Sequence, residues 1–553
     1  MKNNKFLPFK VLAIFIAGLL FGRYVFGLKE NSYTLSFLSG TVSKMQSVVN
    51  VIADKYVDQT DIEAITEKAI PLLLKQLDPH SIYIPAANTE TSMEKLNGSF
   101  CGIGIEYYKN KESIEILNVI QNGPAMKAGI IAGDEITEIN GKKVSGLNIG
   151  EELRGEKGSS VNITLNRSGK IVKAVVSRED IPLTSVEGVF MIDTLKVGYI
   201  RINGFAQNTY TEFREAAEML MSKGMKYLII DLRGNGGGYI KSVTEIADEI
   251  LDKNDLIVYT KGRNGAVTEY RAQGNGLCSK IKIFALIDTY TASAAEILSG
   301  AIQDNDRGML VGRRTFGKGL VQEPISFADG SMLRLTIARY YTPSGRCIQK
   351  PYGDNINYAE EIQDRYKRGE LDSINSSIFD ESNQYYTKKG RIIYGGGGIA
   401  PDYFVAEDTV YKNPVYQSLE KSNIISRCAA HAYNTMKSAK GNPSDEEIFQ
   451  RIIREENKTL WFVFNEKDND IKPDEFKPYA ETFGNFTVAQ IESHFLRIAG
   501  AINSCYMMSN LYDKDFCTAL QYIIKDENAD DNLNVESIRK IIKADIIKKE
   551  TNK

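Results

Sequence analysis

Strands and helices alternate along residues 194–303, and this alternation constrains the fold more than any other feature of the sequence. The strand-like apolar runs are Val197–Ile202, Tyr227–Leu232, Leu256–Thr260 and Ile281–Ile287. The helical patterns are Tyr210–Lys223, Ser242–Leu251 and Ser293–Gln303. This order is typical of an α/β core. Active sites gather at the ends of the elements of such a core, so the segments that follow the strands are the first place to look for chemistry.

The patterns on either side of this core predict further domains. Residues 42–97 begin with apolar residues at helical spacing, which predicts a helical hairpin or pair, and they are expected to include the start of the core. Residues 98–180 contain short β-type runs separated by Gly and Asn turns, which predicts a compact β module with strands at, for example, Cys101–Tyr107 and Glu135–Ile139. The core spans residues 181–405, within which we expect the polar stretch 352–383 to be an insertion or a mobile segment. Residues 406–553 are helical in pattern and predict an accessory helical domain, with helices expected at, for example, Glu446–Asn457 and Thr487–Cys505.

Residues 1–28 have the layout of an export signal, with three lysines ahead of the apolar run Val11–Gly22. No small-x-small cleavage site follows, so we expect an uncleaved single-span membrane anchor. The alternatives are a cleaved signal and a buried amino-terminal helix. Positive charge ahead of the span predicts that most of the chain lies outside the cytoplasm, on the periplasmic side of the inner membrane of a bacterial cell envelope.

Charge and residue usage exclude several classes of function. The formal net charge of −3 lacks the excess of positive charge that is typical of proteins that bind nucleic acid. The six cysteines are far apart and form no CxxC motif, so neither a disulfide framework nor a zinc site is expected. We expect no metal and no cofactor. Only three histidines are present, which limits any mechanism that needs one.

The segment Thr289–Glu296 (TYTASAAE) places Ser293 where a predicted helix begins. A serine at this position is most often a helix cap. Small neighbours nevertheless leave its hydroxyl unobstructed, and the N–H of Ala294 would stand beside it as an oxyanion donor. Ser293 is therefore a candidate nucleophile, with the cap as the alternative.

The segment Gly312–Gln322 (GRRTFGKGLVQ) holds Lys318 between two glycines. A lysine is usually an exposed charge, but one drawn in among strands would be desolvated, and a neutral amine can act as a base. Because no histidine lies near either segment, Ser293 with Lys318 as its base and Gln322 as the orienter of the amine is the simplest pair available. The spacing also imitates a phosphate-binding loop, but Gly319 occupies the position of the magnesium-binding Ser or Thr.

A third segment, Asp231–Gly238 (DLRGNGGG), directly follows an apolar strand. Its backbone N–H groups could cradle an oxyanion or pack against an extended peptide. A flexible strand-to-helix turn is the alternative.

Taken together, these segments resemble those of the carboxy-terminal processing peptidases, also called tail-specific proteases. The segments that carry the resemblance are Thr291–Asn305, Gly312–Gln322, Asp231–Gly238, Tyr340–Gln349, Asp78–Ile84 and Gly395–Asp402. The resemblance covers about residues 42–405 and implies a crotonase/ClpP-like protease core. It implies Ser293 as nucleophile, Lys318 as general base and Gln322 as its orienter. It also implies an oxyanion hole made by the N–H of Ala294 and that of Gly237 or Gly238, a choice that the extra Gly236 leaves open.

The β module resembles a PDZ domain inserted into this core. The residues expected to bind a peptide carboxylate are Phe100, Cys101, Gly102, Ile103 and Gly104. In this mode of recognition, the amides of a glycine-containing loop capture the carboxylate while a strand edge pairs with the peptide. A scaffold domain without a peptide ligand is the alternative.

The sequence thus predicts a serine endopeptidase that selects protein or peptide substrates by their exposed carboxy-terminal tails and cleaves them through an acyl-enzyme. A homo-oligomer is compatible with this reading, whereas a nucleic-acid partner is not expected. Two alternatives stay open. One is a catalytically silent PDZ adaptor, and the other is a crotonase-type acyl-coenzyme A enzyme, because fold does not settle function.

Overall fold

The computed structural model describes residues 40–109, 113–353, 356–373, 381–437, 471–526 and 535–551. The chain divides at Pro85 into two compact units. In the first unit, helices α1 (Gly40–Lys55) and α2 (Ile62–Leu74) precede a short strand, β1 (Ile82–Ile84), which confirms the predicted helical pair. The export signal or anchor predicted for residues 1–28 lies outside the described residues. Within the described ranges, no helix is both long and apolar enough to cross a membrane.

The second unit begins with helix α3 (Ala86–Asn97) and the predicted β module. The elements of the module are β2 (Ser99–Gly102), β3 (Ile105–Lys109), β4 (Ile114–Val119), α4 (Pro124–Lys127), β5 (Glu135–Ile139), β6 (Lys142–Lys143), α5 (Ile149–Leu153), β7 (Ser160–Arg167), β8 (Lys170–Ser177) and β9 (Glu179–Pro182). The main sheet has the order β3-β4-β5-β7-β8, and β2 pairs with β9. The single strand expected at Cys101–Tyr107 is two strands, because Gly104, at φ +75°, interrupts the extended backbone.

A six-stranded sheet forms the centre of the second unit, in the order β10-β11-β12-β15-β16-β21. Its strands and the helices between them are β10 (Val186–Ile192), β11 (Val197–Ile202), α6 (Thr209–Ser222), β12 (Tyr227–Asp231), α7 (Ile240–Asp248), β13 (Leu256–Gly262), β14 (Val267–Arg271), β15 (Lys282–Ile287), α8 (Ala294–Asp304) and β16 (Gly308–Gly312). Strands β11, β12, β15, β16 and β21 run parallel, as the alternation predicts, and β10 is an antiparallel edge. Helices α6, α7 and α8 bury one face of the sheet.

Strands β13 and β14 join β17 (Leu320–Ser326) and β18 (Met332–Tyr341) in an antiparallel sheet of the same unit. The next elements are α9 (Glu361–Lys367), β19 (Gln384–Tyr386), β20 (Ile392–Tyr394) and β21 (Tyr403–Phe404). The sequence predicts an insertion or a mobile segment at 352–383, and within that stretch the structure has helix α9 at Glu361–Lys367. Its Arg365 is fully buried and donates to the carbonyls of Arg314, Thr315 and Phe316, so these hydrogen bonds fix the helix.

The carboxy-terminal helices cover the other face of the six-stranded sheet. They are α10 (Pro414–Lys421), α11 (Ile424–Lys437), α12 (Pro473–Ile498), α13 (Ile502–Ser509), α14 (Lys514–Asp526) and α15 (Val535–Thr551). The helix expected at Thr487–Cys505 is two helices, because Gly500 at φ +78° lies between them. The helix expected at Glu446–Asn457 falls outside the described residues. Phe516 of α14 packs edge-on against Tyr199 of the sheet, so these helices share a core with the sheet.

Candidate active site

The three candidate segments meet at one edge of the six-stranded sheet. Strands β12, β15 and β16 are parallel neighbours, with Asp231 opposite Leu286 and Ile287 opposite Gly312. Each strand is followed directly by one of the segments that the sequence singled out. Because the carboxyl ends of parallel strands lie at the same edge, the chain brings these segments together there, where α/β proteins place their ligands.

Ser293 precedes helix α8 in a strained backbone conformation, at φ +58° and ψ −119°. A serine at positive φ costs about 1–3 kcal/mol, and such strain clusters at functional sites. The N–H of Glu296 donates to the carbonyl of Ser293 at 2.8 Å, and the carboxylate of Glu296 accepts from the amide of Ser293, which is the arrangement of a capping box. The side chain of Ser293 is half-buried between the buried Ala292 and Ala294. Ser293 therefore takes part in the start of the helix, and its role as nucleophile stays a prediction.

Lys318 lies two residues before β17 and is half-buried. Its Nζ donates to Oε1 of Gln322 at 2.8 Å. The structure therefore places the predicted base in contact with its predicted orienter, although the roles of the two residues stay predictions.

The carboxylate of Glu296 connects the segment of Ser293 to that of Lys318. Its Oε2 accepts from the amides of Ser293 and Lys318, each at 2.9 Å. Its Oε1 accepts from the hydroxyl of Thr315 at 2.6 Å and the amide of Gly317 at 2.8 Å. The side chain is fully buried. One carboxylate thus fixes the backbone of both candidate catalytic residues.

Tyr340 of β18 forms a second connection between the two segments. Its buried hydroxyl contacts the carbonyl of Ser293 at 3.0 Å and also the carbonyl of Lys318. The side chains of Glu296 and Tyr340 therefore contact the amides and the carbonyls, respectively, of the same two residues.

The structure distinguishes the glycines that the sequence leaves open for the oxyanion hole. A Cβ on Gly237 would lie 2.6 Å from Cβ of Ser293 and 2.9 Å from the amide nitrogen of Ala294, so only glycine fits there. A Cβ on Gly236 would have no neighbour within 4 Å. The amide of Gly237 donates to Oδ1 of Asn235 at 2.9 Å. Among the described residues, no acceptor takes the amides of Ala294, Gly236 or Gly238, so the amides of these three residues are available as donors, whereas that of Gly237 is not.

A buried acid and its arginine partners anchor the start of the glycine loop. Asp231 accepts from Arg233 through Nε at 2.9 Å and Nη2 at 2.6 Å, and from Arg201 at 3.1 Å and the hydroxyl of Tyr199 at 2.7 Å. Burial alone would raise the pKa of Asp231, but Arg233 and Arg201 outweigh it and hold that pKa well below its ordinary value. The carboxylate therefore stays ionised and holds Arg233 in place.

The five residues predicted to bind a peptide carboxylate lie in the β module, not among the residues around Ser293. They span the end of β2 and the two residues before β3. In the described part of the chain, the amides of Ile103 and Gly104 donate to no acceptor. Strand β3 is the edge of its sheet. Phe100 packs beneath the guanidinium of Arg154, whose carbon is 5.4 Å from the ring centroid. Two unused amides beside an open strand edge are the features that capture of a peptide terminus requires.

Sequence reasoning missed Glu296, Tyr340 and the Asp231–Arg233 pair as site residues. The spacing Ser293-x-x-Glu296 is that of a capping box, a local signal that could have drawn attention to Glu296. The contacts of Tyr340 with Ser293 and Lys318, and of Arg233 with Asp513, have no comparable signal, because these partners are distant in sequence.

Peptide cleavage is expected to increase as the pH rises through about 7. Burial raises the pKa of Glu296 to about 7, although its hydrogen bonds oppose the shift. The ionised carboxylate can accept from all four donors around it, whereas the protonated form brings in a fifth hydrogen and loses an acceptor site. Because this pKa exceeds the ordinary 4.5, the folded protein favours protonated Glu296, and its free energy of unfolding decreases as the pH rises from 4.5 to about 7. Ionisation over the same range allows Glu296 to accept all four hydrogen bonds. Deprotonation of a lysine base acts on the rate in the same direction. A flat profile of initial rate from about pH 5 to about pH 9 would contradict this.

Comparison with known proteins identifies the family of this chain. Residues 196–357 match the model of peptidase family S41, and residues 101–177 match that of the PDZ domain. The carboxy-terminal-processing protease of Bartonella bacilliformis is 34% identical over 323 residues, which are 56% of this chain and 72% of that protein. The carboxy-terminal processing protease CtpB of Bacillus subtilis is 31% identical over 421 residues, 73% of this chain and 86% of that protein. The chain therefore belongs to the carboxy-terminal processing proteases of peptidase family S41, and it is a serine-type endopeptidase with a PDZ domain and an α/β protease core.

Proposed function

We propose that this endopeptidase works through Ser293 as nucleophile, Lys318 as general base and Gln322 as the group that orients the amine. The observation that carries the proposal is the shared carboxylate oxygen of Glu296, which accepts from the amides of both Ser293 and Lys318. This contact brings the backbones of the proposed nucleophile and the proposed base together at one carboxylate oxygen. The hydrogen bond from Lys318 to Gln322 then fixes the direction of the amine.

The proposed reaction proceeds in two steps. Neutral Lys318 takes the hydroxyl proton of Ser293 as the oxygen attacks the peptide carbonyl carbon, and the amides of Ala294 and Gly238 stabilise the resulting oxyanion. The Lys318 ammonium then gives its proton to the leaving amine, which leaves an ester on Ser293. Water attacks that ester with Lys318 again as the base, which releases the acid product and regenerates the hydroxyl.

Covalent labelling tests this assignment without altering the chain. A fluorophosphonate is expected to inactivate the full-length protease in proportion to the label incorporated, and mass spectrometry should locate the adduct on Ser293. The substrate is an unfolded protein with an apolar carboxy-terminal tail. An adduct on another residue that tracks the loss of activity would overturn the assignment. Binding of the tail without any cleavage or labelling would instead indicate the adaptor.

We also propose that the PDZ domain recognises the substrate's carboxy-terminal carboxylate. The unused amides of Ile103 and Gly104 support this, as does the edge strand β3, along which an extended peptide could pair. Such a domain would hold the substrate's tail while an upstream segment enters the site of Ser293.

Amidation of the substrate's terminal carboxylate is expected to raise KM about 10- to 100-fold and to leave kcat nearly unchanged. Hydrogen bonds to a charged group contribute about 1.5–3 kcal/mol, and the amide would forfeit them in the ground state and the transition state alike. Initial rates on two peptides that differ only at the terminus measure this. Equal KM values for the two peptides would argue against carboxylate recognition.

We further propose that residues 1–28 tether the protease to the extracytoplasmic face of a membrane. The proposal is supported by the order of lysines and apolar residues alone. Retention of the full chain in an alkali-washed membrane fraction, together with its digestion by protease added outside the cytoplasmic membrane, would support it. Recovery of the chain in the cytoplasmic fraction would contradict it.

A further inference from the structure

Two carboxylates at the start of α14, in the carboxy-terminal region, contact the loop that contains one of the two proposed oxyanion donors, Gly238. Asp513 directly precedes α14, and Asp515 lies in its first turn. Nη1 of Arg233 donates to both carboxylate oxygens of Asp513, at 2.7 Å each, and to Oδ2 of Asp515 at 3.1 Å. Arg233 is the third residue of the segment Asp231–Gly238. This loop is therefore held from the core by Asp231 and from the carboxy-terminal helices by Asp513 and Asp515.

Asp515 also holds the segment that leads to Lys318. Nη1 of Arg313 donates to Oδ1 of Asp515 at 2.9 Å, and Nη2 donates to Oδ2 at 2.8 Å. Arg313 directly follows Gly312, the last residue of β16. A single carboxylate thus pairs with one arginine from each of the two loops.

Because the side chains of this cluster are buried, replacing any one of its charged residues is expected to be costly. The side chain of Asp515 is 4% exposed, and those of Arg233 and Arg313 are 13% and 14% exposed. Paired arginine–carboxylate contacts of this kind fix geometry as well as charge. Removing one member leaves a buried charge without compensation, which is more costly than losing an exposed ion pair.

A short, hydrogen-bonded stretch of backbone connects Arg233 to the glycines beside Ser293. Three residues separate Arg233 from Gly237, whose added Cβ would lie 2.6 Å from Cβ of Ser293. The amide of Arg233 is bonded to Asp231 at 3.0 Å, and the amide of Gly237 to Asn235 at 2.9 Å. A displacement of Arg233 is therefore transmitted to the glycines beside Ser293.

We propose that Asp513 and Asp515 are positioning residues for peptide cleavage, and that the carboxy-terminal helices are thereby a required part of the catalytic unit. The two carboxylates fix Arg233 and Arg313, which in turn fix the oxyanion loop and the segment of Lys318. This inference rests on the proposed roles of Ser293 and Lys318.

Asp526 offers a matched control in the same helix. It also pairs with the core, through the ammonium of Lys282 and through the hydroxyl of Tyr227 at 2.6 Å. Lys282 and Tyr227 begin β15 and β12, whereas the catalytic segments follow the ends of those strands. Asp526→Asn therefore weakens the attachment of α14 at the edge of the sheet opposite the site.

Steady-state cleavage by the full chain tests the proposal. Asp515→Asn is expected to lower kcat by about tenfold or more with KM nearly unchanged, because loss of a whole oxyanion donor costs about 100- to 1000-fold and misplacement forfeits part of that. Asp526→Asn is expected to retain the kcat of the wild type. The side chain of Asp513 is 19% exposed, so Asp513→Asn is expected to lower kcat less than Asp515→Asn does. Asp513→Glu should recover much of the kcat that Asp513→Asn loses. Equal kcat losses in Asp515→Asn and Asp526→Asn, or none in Asp515→Asn, would overturn the proposal.

Hydrogen exchange provides a readout that does not depend on catalysis. Asp515→Asn is expected to speed amide exchange in residues 232–238 and 313–319, whereas Asp526→Asn should not. Unchanged exchange in these two segments would overturn the positioning role of Asp515, whether or not Ser293 is the nucleophile. Faster exchange in an enzyme whose cleavage does not depend on Ser293 would support the positioning contact and refute the proposed function, so the two failures are distinguishable.

Discussion

Substitution of either Ser293 or Lys318 by alanine is expected to abolish detectable cleavage, with a loss of about 10^6-fold in kcat. The two side chains act as a unit, because a hydroxyl without its base stays protonated and a base without the hydroxyl has nothing to activate. The double variant should therefore be no worse than either single one. The rate of cleavage of an unfolded protein with an apolar carboxy-terminal tail measures each variant.

Two substitutions serve as controls for this result. Ser299→Ala removes a hydroxyl from the same helix whose described contact is the carbonyl of Ala295, and Lys241→Ala removes an amine whose side chain is 83% exposed. Both variants should cleave at the rate of the wild type. Turnover that persists in Ser293→Ala or Lys318→Ala, with the fold intact by circular dichroism, would refute the assignment.

Glu296→Gln is expected to lower kcat by about 100-fold and to lower the melting temperature as well. Glutamine keeps one acceptor oxygen, but in either orientation its amide group faces at least one of the backbone N–H donors now bonded to Glu296. A buried donor left unpaired costs about 1–3 kcal/mol. Misplacement of a reacting group by about 1 Å costs about 100-fold in rate. The expected kinetic loss follows because Glu296 fixes the backbone of both Ser293 and Lys318.

Glu249→Gln separates this positioning effect from a general loss of stability. Glu249 is also a buried glutamate, and it accepts from the hydroxyl of Tyr210, from Arg214 and from the amide of Leu277. Its substitution should lower the melting temperature and leave kcat near that of the wild type. If both variants lost activity in proportion to stability, Glu296 would have no special role in positioning.

Local pattern predicts the central elements of this protein well. Strands Val197–Ile202 and Glu135–Ile139 begin and end where their apolar runs do. The apolar side chains of these runs are buried, so local sequence and tertiary packing agree. The segments that form the site are predictable for the same reason, because each directly follows such a strand.

The parts that escaped prediction are fixed by polar contacts between residues distant in sequence. Helix α9 lies in a polar stretch, and the hydrogen bonds of the buried Arg365 to three carbonyls fix it there. The spacing of hydrophobic residues along a sequence does not indicate that an arginine is buried. The contact of Arg233 with Asp513 likewise joins residues that lie 280 positions apart. No local signal marks such a pair, so its discovery requires the folded structure.

Asp513 and Asp515 are synthesised long after Ser293, Lys318 and the glycine loop, because translation runs from the amino to the carboxyl end. A nascent chain that ends before α14 already contains every residue of the proposed reaction, yet Arg233 and Arg313 lack these carboxylates. Under the proposed positioning role, full catalytic competence arrives only as the last helices are made and fold. Such timing would spare unfinished copies, and the unfolded chains around them, from premature cutting.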